Sequence, residues 1–117
     1  MTKADKLRIS DYLEHILEAI ERIDRYTQGM SEDEFLQDEK TQDAVIRNFE
    51  IIGEASRNID QHHSDFAAEH SNVPWRIAYE MRNALAHGYF MVDTGIVWKT
   101  IKADLPKMAE LIRDCKG

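Results

Sequence analysis

A segment in the last third of the chain, residues 82–89 with the sequence RNALAHGY, brings together side chains that could do chemistry. The guanidinium of Arg82 is permanently charged and can bind phosphate oxygens through two parallel hydrogen bonds. The imidazole of His87 can accept and donate a proton near neutral pH. Asn83 could hold the imidazole tautomer or a ribose hydroxyl. A phosphate-binding cation beside a proton carrier is the minimum set for cleaving RNA without a metal ion, so this segment is our candidate active site.

The spacing of the segment restricts how these groups can meet. At about 100° per residue, helix positions 82 and 89 share a face, whereas positions 82 and 87 lie about 140° apart. Arg82 and His87 are therefore expected to converge only if the helix ends near Gly88, which can adopt a left-handed conformation. The suggested reaction is attack of a ribose 2′-hydroxyl on the adjacent phosphodiester, with Arg82 stabilising the phosphate charge. A symmetric dimer would bring together two histidines, one as acid and one as base.

The same segment is compatible with a purely structural role. Arginine and histidine near a helix end commonly interact with free carbonyls and with the helix dipole. Arg82 could pair with Glu80 or Asp93, and Tyr89 could simply pack. Short motifs match by chance often enough that spacing alone does not decide between these interpretations.

Other polar clusters give weaker signals. Arg47, Asn48 and Glu54 fall on a second predicted helix, where they could line a polar groove or form an ordinary solvated face. Glu50 and Glu54 are like charges at i,i+4, which mildly disfavours an isolated helix unless a cation lies between them; Arg47 or a residue of another helix could provide it. His15 is predicted to lie on the surface. Four residues of a later loop match no metal-ligand spacing, so no metal is expected there: His62, His63, Asp65 and His70.

Length and composition predict one domain, residues 1–117, in a cytoplasmic protein. The single cysteine, Cys115, allows no internal disulfide, and neither a signal peptide nor a membrane-spanning run is expected. The net charge of −7, from 22 acidic and 15 basic residues, argues against a protein that coats nucleic acid through bulk charge. It leaves room for an enzyme with a local basic site, and no DNA or membrane partner is expected.

Helical periodicity predicts the elements that would position the segment. Long helices are expected at residues 5–28, 39–61 and 74–86, and from Asp93 or Thr94 to near the end. A capping box at residues 31–34 predicts a short helix, and one helical turn is expected at residues 66–68. The predicted fold is all-α, an antiparallel four-helix bundle with one or two short extra helices, which dimerises.

Several residues make more local predictions within these helices. Gly53 suggests close approach of another helix, and Pro106 should kink the last helix near Lys102. Apolar residues of the third helix are expected to face the core: Trp75, Ile77, Ala78, Met81 and Leu85. Ile96 is expected in the apolar stripe of the last helix.

Three segments in order, together with the motif, resemble a known family. Arg82-x4-His87-x-Tyr89 resembles the signature of the HepT-like toxins, within the HEPN superfamily of ribonucleases. Residues 42–55, 75–83 and 97–106 also resemble that family, so the resemblance covers nearly the whole chain. It implies a dimerising helical bundle with two motifs facing a shared cleft, and metal-independent RNA cleavage by Arg82 and His87 without a cofactor.

The resemblance also implies a partner, a minimal nucleotidyltransferase that acts as antitoxin in a type VII toxin–antitoxin system. In that family the antitoxin can transfer AMP from ATP onto the motif tyrosine, here Tyr89. The added charge and adenosine beside Arg82 would block the place for the substrate phosphate. Related helical proteins suggest an alternative, a non-catalytic nucleotide-binding subunit in which Arg82 holds a phosphate and Tyr89 shapes the pocket.

Overall fold

The described part of the chain is helical, which confirms the predicted all-α class. The computed structural model describes residues 8–87 and 94–116, with the backbone alone for residues 83–87. No β-strand occurs in those ranges. The helices are α1 (Ile9–Thr27), α2 (Glu32–Leu36), α3 (Glu39–His62), α4 (Ser64–Glu69), α5 (Trp75–His87), α6 (Thr94–Lys99) and α7 (Leu105–Lys116), with a π-helical turn at Thr100–Asp104.

Local signals in the sequence set the starts and ends of the first helices. Gly29, just after α1, has φ +77°, a left-handed conformation that glycine adopts without steric cost. Ser31 Oγ accepts from the Glu34 N–H at 3.2 Å, and the Glu34 carboxylate accepts from the Ser31 N–H at 2.9 Å, which is the predicted capping box. Asp38 caps α3 by accepting from the Thr41 N–H and hydroxyl. These two hydrogen bonds lower the pKa of Asp38 below its ordinary value.

The kink predicted near Lys102 falls in a π-helical turn, Thr100–Asp104, between α6 and α7. Proline has no N–H, and its ring clashes with the carbonyl four residues earlier, which for Pro106 is that of Lys102. The N–H of Leu105 donates instead to the Thr100 carbonyl, five residues back. The turn therefore lets the helical path continue past the proline.

Helix α3 is the central element, because it packs along both α1 and α5, while α7 packs on α1. The ring of Tyr12, early in α1, lies 6.1 Å from that of His63 at the end of α3, so the two helices are antiparallel. The shared core is made by fully or nearly buried apolar side chains, among them Leu13, Ile16, Ile23, Val45, Ile52, Ile59, Val97 and Ile112.

Two apolar residues that were predicted to face the core are exposed. Ile77 is 68% exposed and Ile96 is 60% exposed, so the prediction was wrong for both. Trp75 is buried and Ala78 is half-buried, as expected. Hydropathy alone cannot separate a core face from a second apolar surface on the same helix. Ile77 contributes to such a surface, a groove of about 460 Å³ lined mainly by apolar side chains that we call the apolar groove: Phe49, Ile52, Ile77, Ala78, Met81, Leu105, Met108 and Leu111.

Candidate active site

Arg82 lies in a polar cleft that crosses the outer face of α3. The volume of this cleft, which we call the α3 cleft, is about 470 Å³. Three helices contribute its walls, with α3 as the floor, α1 on one side and α5 on the other. The lining residues are Tyr12 and His15 of α1, Arg82 of α5, and Arg47, Glu50, Ile51, Glu54, Ala55 and Asn58 of α3.

Gly53 determines how closely Arg82 approaches α3. A Cβ atom added to Gly53 would lie 2.8 Å from Cγ of Arg82 and 3.1 Å from the backbone oxygen of Ala78. It would come closer still to Cβ of Arg82. No larger side chain fits at this point unless the two helices move apart, so the predicted close approach at Gly53 is confirmed. The aliphatic stem of Arg82 therefore starts directly against the backbone of α3.

The guanidinium of Arg82 then reaches a carboxylate on the next residue of α3. Nη2 of Arg82 lies 3.7 Å from Oε2 of Glu54, with side chains 31% and 51% exposed. Ion pairs this open to solvent contribute only about 0.2–1 kcal/mol. A phosphate can therefore displace the Glu54 carboxylate from the Arg82 guanidinium, or share the guanidinium with it, at little cost in free energy. The planar guanidinium suits phosphate oxygens as well as carboxylate oxygens.

A second arginine of the cleft is paired in the same way. Nη1 of Arg47 lies 3.6 Å from Oε2 of Glu50 on the adjacent turn. The like-charged pair Glu50 and Glu54 thus has two cations beside it, one from its own helix and one from α5, the two sources that the sequence left open. The two arginines and the two glutamates of the cleft therefore balance each other in charge.

Asn48 does not line the α3 cleft, although it was grouped with Arg47 and Glu54 on the sequence. Its side chain is 5% exposed, and its Nδ2 donates to the Ala44 carbonyl at 2.9 Å. Arg47 and Glu54 do line the cleft. The grouping therefore brings together two residues of the cleft and one residue of the core.

The other candidate residues of the motif fall at or beyond the edge of the described structure. The side chains of Asn83 and His87, and the whole of Gly88 and Tyr89, lie outside the described residues, as do Asp93 and the side chain of Leu85. The backbone of α5 is helical through His87.

The helix register places the backbone of His87 along α3. Helix α5 runs antiparallel to α3, since Arg76 lies near Asp60 and Arg82 lies beside Glu54. Five residues beyond Arg82 correspond to a rise of about 7.5 Å along the helix axis. The backbone of residue 87 is therefore level with the α3 residues around Phe49, toward the Arg47 end of the cleft.

His15 is a residue of the cleft that sequence reasoning treated only as a surface residue. It is exposed, as predicted, but it faces the same cleft as Arg82. Its ring makes a T-shaped contact with that of Tyr12, at 6.4 Å between centroids and 89° between planes. His15 lines the cleft because α1 packs against α3. This packing cannot be predicted from the local sequence of α1.

The described residues offer neither a metal site nor a membrane span. No group of three or more His, Cys, Asp and Glu side chains within them is arranged to hold a metal ion. None of the helices in the same ranges is both long and apolar enough to cross a bilayer.

The fold and the cleft define an all-α protein in which a half-buried arginine of α5 lines a polar cleft made by three helices. Residues 16–115 match the protein-family model described as Ribonuclease HepT-like. Because that match covers most of the chain, the protein belongs to the HepT-like ribonuclease family.

Individual relatives agree with this assignment. The chain is 51% identical over 98 residues to the "Probable ribonuclease HepT" of Thermococcus cleftensis, which covers 84% of this chain and 86% of that protein. It is 37% identical over 116 residues to the "Putative RNase MJ0127" of Methanocaldococcus jannaschii, covering 96% and 93% of the two chains. The "Gamma-glutamylcyclotransferase and putative RNase MJ0434" of the same organism is 46% identical over 101 residues, covering 86% of this chain and 44% of that longer protein. No solved structure matches the chain.

Proposed function

We propose that this protein is a metal-independent endoribonuclease that acts as the toxin of a type VII toxin–antitoxin system. The observation that carries the proposal is the placement of Arg82. Close packing at Gly53 holds its stem against α3, and its half-buried side chain lines a cleft beside a weakly paired carboxylate. Membership in the HepT-like ribonuclease family supports RNA as the substrate.

The proposed reaction is an intramolecular transesterification of RNA. His87 removes the proton of a ribose 2′-hydroxyl, whose oxygen attacks the adjacent phosphorus. The bond from phosphorus to the 5′-oxygen breaks, and that oxygen takes a proton from an acid. Arg82 stabilises the charge that builds on the two non-bridging oxygens, a contribution that is worth about 10²–10³ in rate for a single hydrogen-bond donor.

We propose that the reaction uses a homodimer, because the motif contains one histidine and the reaction uses an acid and a base. The apolar groove supports this idea, since its Ile77 is 68% exposed on the same helix that carries the motif. Exposed apolar surfaces of this kind commonly mark association sites. Pairing of α3 with α1 and α5, and of α1 with α7, supports an antiparallel four-helix bundle as the protomer.

Control of the toxin is proposed to act through Tyr89, in the cytoplasm. A nucleotidyltransferase antitoxin would use ATP to transfer AMP onto the Tyr89 hydroxyl, releasing pyrophosphate. The added phosphodiester carries a negative charge that would pair with Arg82 and compete with the RNA phosphate. The proposal is supported by the position of Tyr89 two residues after His87 in a chain of the HepT-like ribonuclease family.

The test of the catalytic function is RNA cleavage by the purified protein in the presence of EDTA. We expect the wild type to cleave RNA, and we expect His87→Ala to lose cleavage while keeping its helical circular dichroism spectrum. Expression of the two forms in cells should show toxicity for the wild type alone. A wild type that binds nucleotides but leaves RNA intact would instead favour the nucleotide-binding subunit.

The test of the control step is intact-mass spectrometry after incubation with the antitoxin and ATP. We expect an increase by one or more AMP units on the wild type and no increase on Tyr89→Phe. AMP-sized additions that persist on Tyr89→Phe would rule out Tyr89 as the acceptor.

A further inference from the structure

We propose that His15 forms a stacking platform for the base of a nucleotide that neighbours the scissile phosphate, on the α1 side of the α3 cleft. The proposed ligand is single-stranded RNA, with a phosphate at Arg82 and a base at His15. This inference rests on the proposed ribonuclease function for the identity of the ligand, but it concerns a different residue and a different part of the substrate.

The two residues face one continuous cleft from opposite sides. His15 belongs to α1 and Arg82 belongs to α5, and α3 forms the floor between them. The cleft volume of about 470 Å³ falls within the range of about 300–1,000 Å³ that is common for small-ligand pockets. A ligand held by Arg82 that extends across α3 therefore arrives at His15.

The imidazole of His15 has the properties of a stacking platform. Tyr12, whose side chain is only 7% exposed, packs in a T-shape against it and restricts its orientation. His15 itself remains exposed. Proteins that recognise single-stranded RNA commonly stack unpaired bases on aromatic rings and on histidine.

The charges of the cleft favour a base at this position over a second phosphate. Arg82 is balanced by Glu54, and Arg47 is balanced by Glu50. A first phosphate can take the guanidinium of Arg82 from Glu54, but a second one would face the carboxylate of Glu50. A base carries no charge, and its polar edge can hydrogen-bond instead.

Asn58 is suited to such an edge. Its Nδ2 donates to the Glu54 backbone carbonyl at 2.9 Å, which anchors the amide in the cleft and uses one of its two N–H groups. An amide can both donate and accept, so it can pair with the edge of any of several bases.

Binding of a short fluorescent single-stranded RNA, measured by anisotropy in the His87→Ala background, tests the platform. We expect His15→Ala to weaken binding by about fivefold or more, the minimum effect of losing one stacked base. His15→Phe keeps a flat ring and should bind within about twofold of the parent. His62→Ala is the matched control, because His62 is also an exposed histidine but lines a different pocket.

Binding and cleavage measured together distinguish failure of the platform from failure of the ribonuclease function. If His15→Ala and His62→Ala both bind RNA as tightly as the parent, the platform is overturned. Cleavage by the wild type would still support the ribonuclease function. A further variant, His15→Gln, keeps a polar side chain without a ring. If His15→Gln binds RNA and His15→Phe does not, stacking is overturned in favour of hydrogen bonding or proton transfer. A wild type that binds RNA through His15 without cleaving it overturns the proposed function and leaves the platform standing. A wild type that binds no RNA overturns both.

Discussion

The two sides of helix α5 differ in how tightly their side chains are packed. Where α5 meets Gly53 of α3, the stem of Arg82 leaves no room for a Cβ atom on the glycine. On the side facing the apolar groove, Ile77 is 68% exposed. A charged residue is thus held tightly, while a large apolar residue is left in solvent, which is the reverse of the usual preference.

This difference indicates that α5 has two surfaces beyond its role in the core. The tight side gives the arginine a defined origin, so that its guanidinium can be presented in the cleft. The open side leaves apolar area uncovered at a cost in solvation of about 25 cal/mol per Å². Such a cost is typical of a surface that another chain covers. Single substitutions can disturb one side at a time.

The largest effect on the tight side is expected for Gly53→Ala. The new methyl group would push Arg82 away from α3, and a displacement of about 1 Å can lower a rate about hundredfold. Replacing a glycine by alanine inside a helix normally stabilises a protein by up to about 1 kcal/mol. Here overpacking should destabilise it by about 1–3 kcal/mol instead. RNA cleavage kinetics and urea denaturation measure the two effects.

Arg57→Ala is the matched control for this substitution, because Arg57 lies on the exposed face of the same helix. It should change stability by no more than about 0.5 kcal/mol and leave cleavage unchanged. A Gly53→Ala protein that is more stable than the wild type and equally active would show that the close contact has no part in positioning Arg82.

The open side is tested by Ile77→Lys. An exposed position tolerates lysine in the folded monomer, so stability should change by no more than about 0.5 kcal/mol. A charge inside a dimer interface, by contrast, should raise the dissociation constant at least about tenfold. Sedimentation velocity across a range of concentrations measures the shift from dimer to monomer.

Ile96→Lys provides the comparison, since Ile96 is 60% exposed but does not line the apolar groove. We expect it to dimerise like the wild type. Equal dimerisation of the wild type and of both lysine variants would remove the apolar groove as the dimer surface.

The smallest effect is expected for Glu54→Gln, which removes the carboxylate beside Arg82. Stability should fall by less than about 1 kcal/mol, because the ion pair is open to solvent. The RNA phosphate would no longer compete with a carboxylate, so KM should fall by about threefold. Glu50→Gln removes the same charge from the cleft without touching Arg82. If both variants change KM equally, the effect belongs to the net charge of the cleft rather than to the Arg82 pair.

Much of the fold could be predicted because the relevant signals are local. The capping box at Ser31 and Glu34 is formed as predicted, and the irregularity caused by Pro106 falls where its missing N–H requires it. Gly53 was predicted to allow a close approach, since a glycine inside a helix costs stability unless something occupies the space of its side chain. The sequence could not name Arg82 as the group that occupies it.

The parts that could not be predicted depend on packing between helices. The exposure of Ile77 depends on which side of α5 meets α3, and both sides of α5 are apolar enough to qualify. Glu54, on a different helix, meets Arg82 because α3 and α5 are antiparallel and in a particular register. His15 enters the cleft for the same kind of reason, because α1 packs across α3 from a distant part of the sequence.

The most direct test of the central claim is the rate of RNA cleavage by Arg82→Ala at saturating RNA, beside Arg47→Ala. Both variants remove one paired arginine from the same cleft, but only Arg82 is assigned to the scissile phosphate. We predict that Arg82→Ala lowers the rate by about 10²–10³-fold, the effect of losing one donor to the transition state, while Arg47→Ala stays within about tenfold of the wild type. A folded Arg82→Ala protein that cleaves RNA as fast as Arg47→Ala would contradict the account.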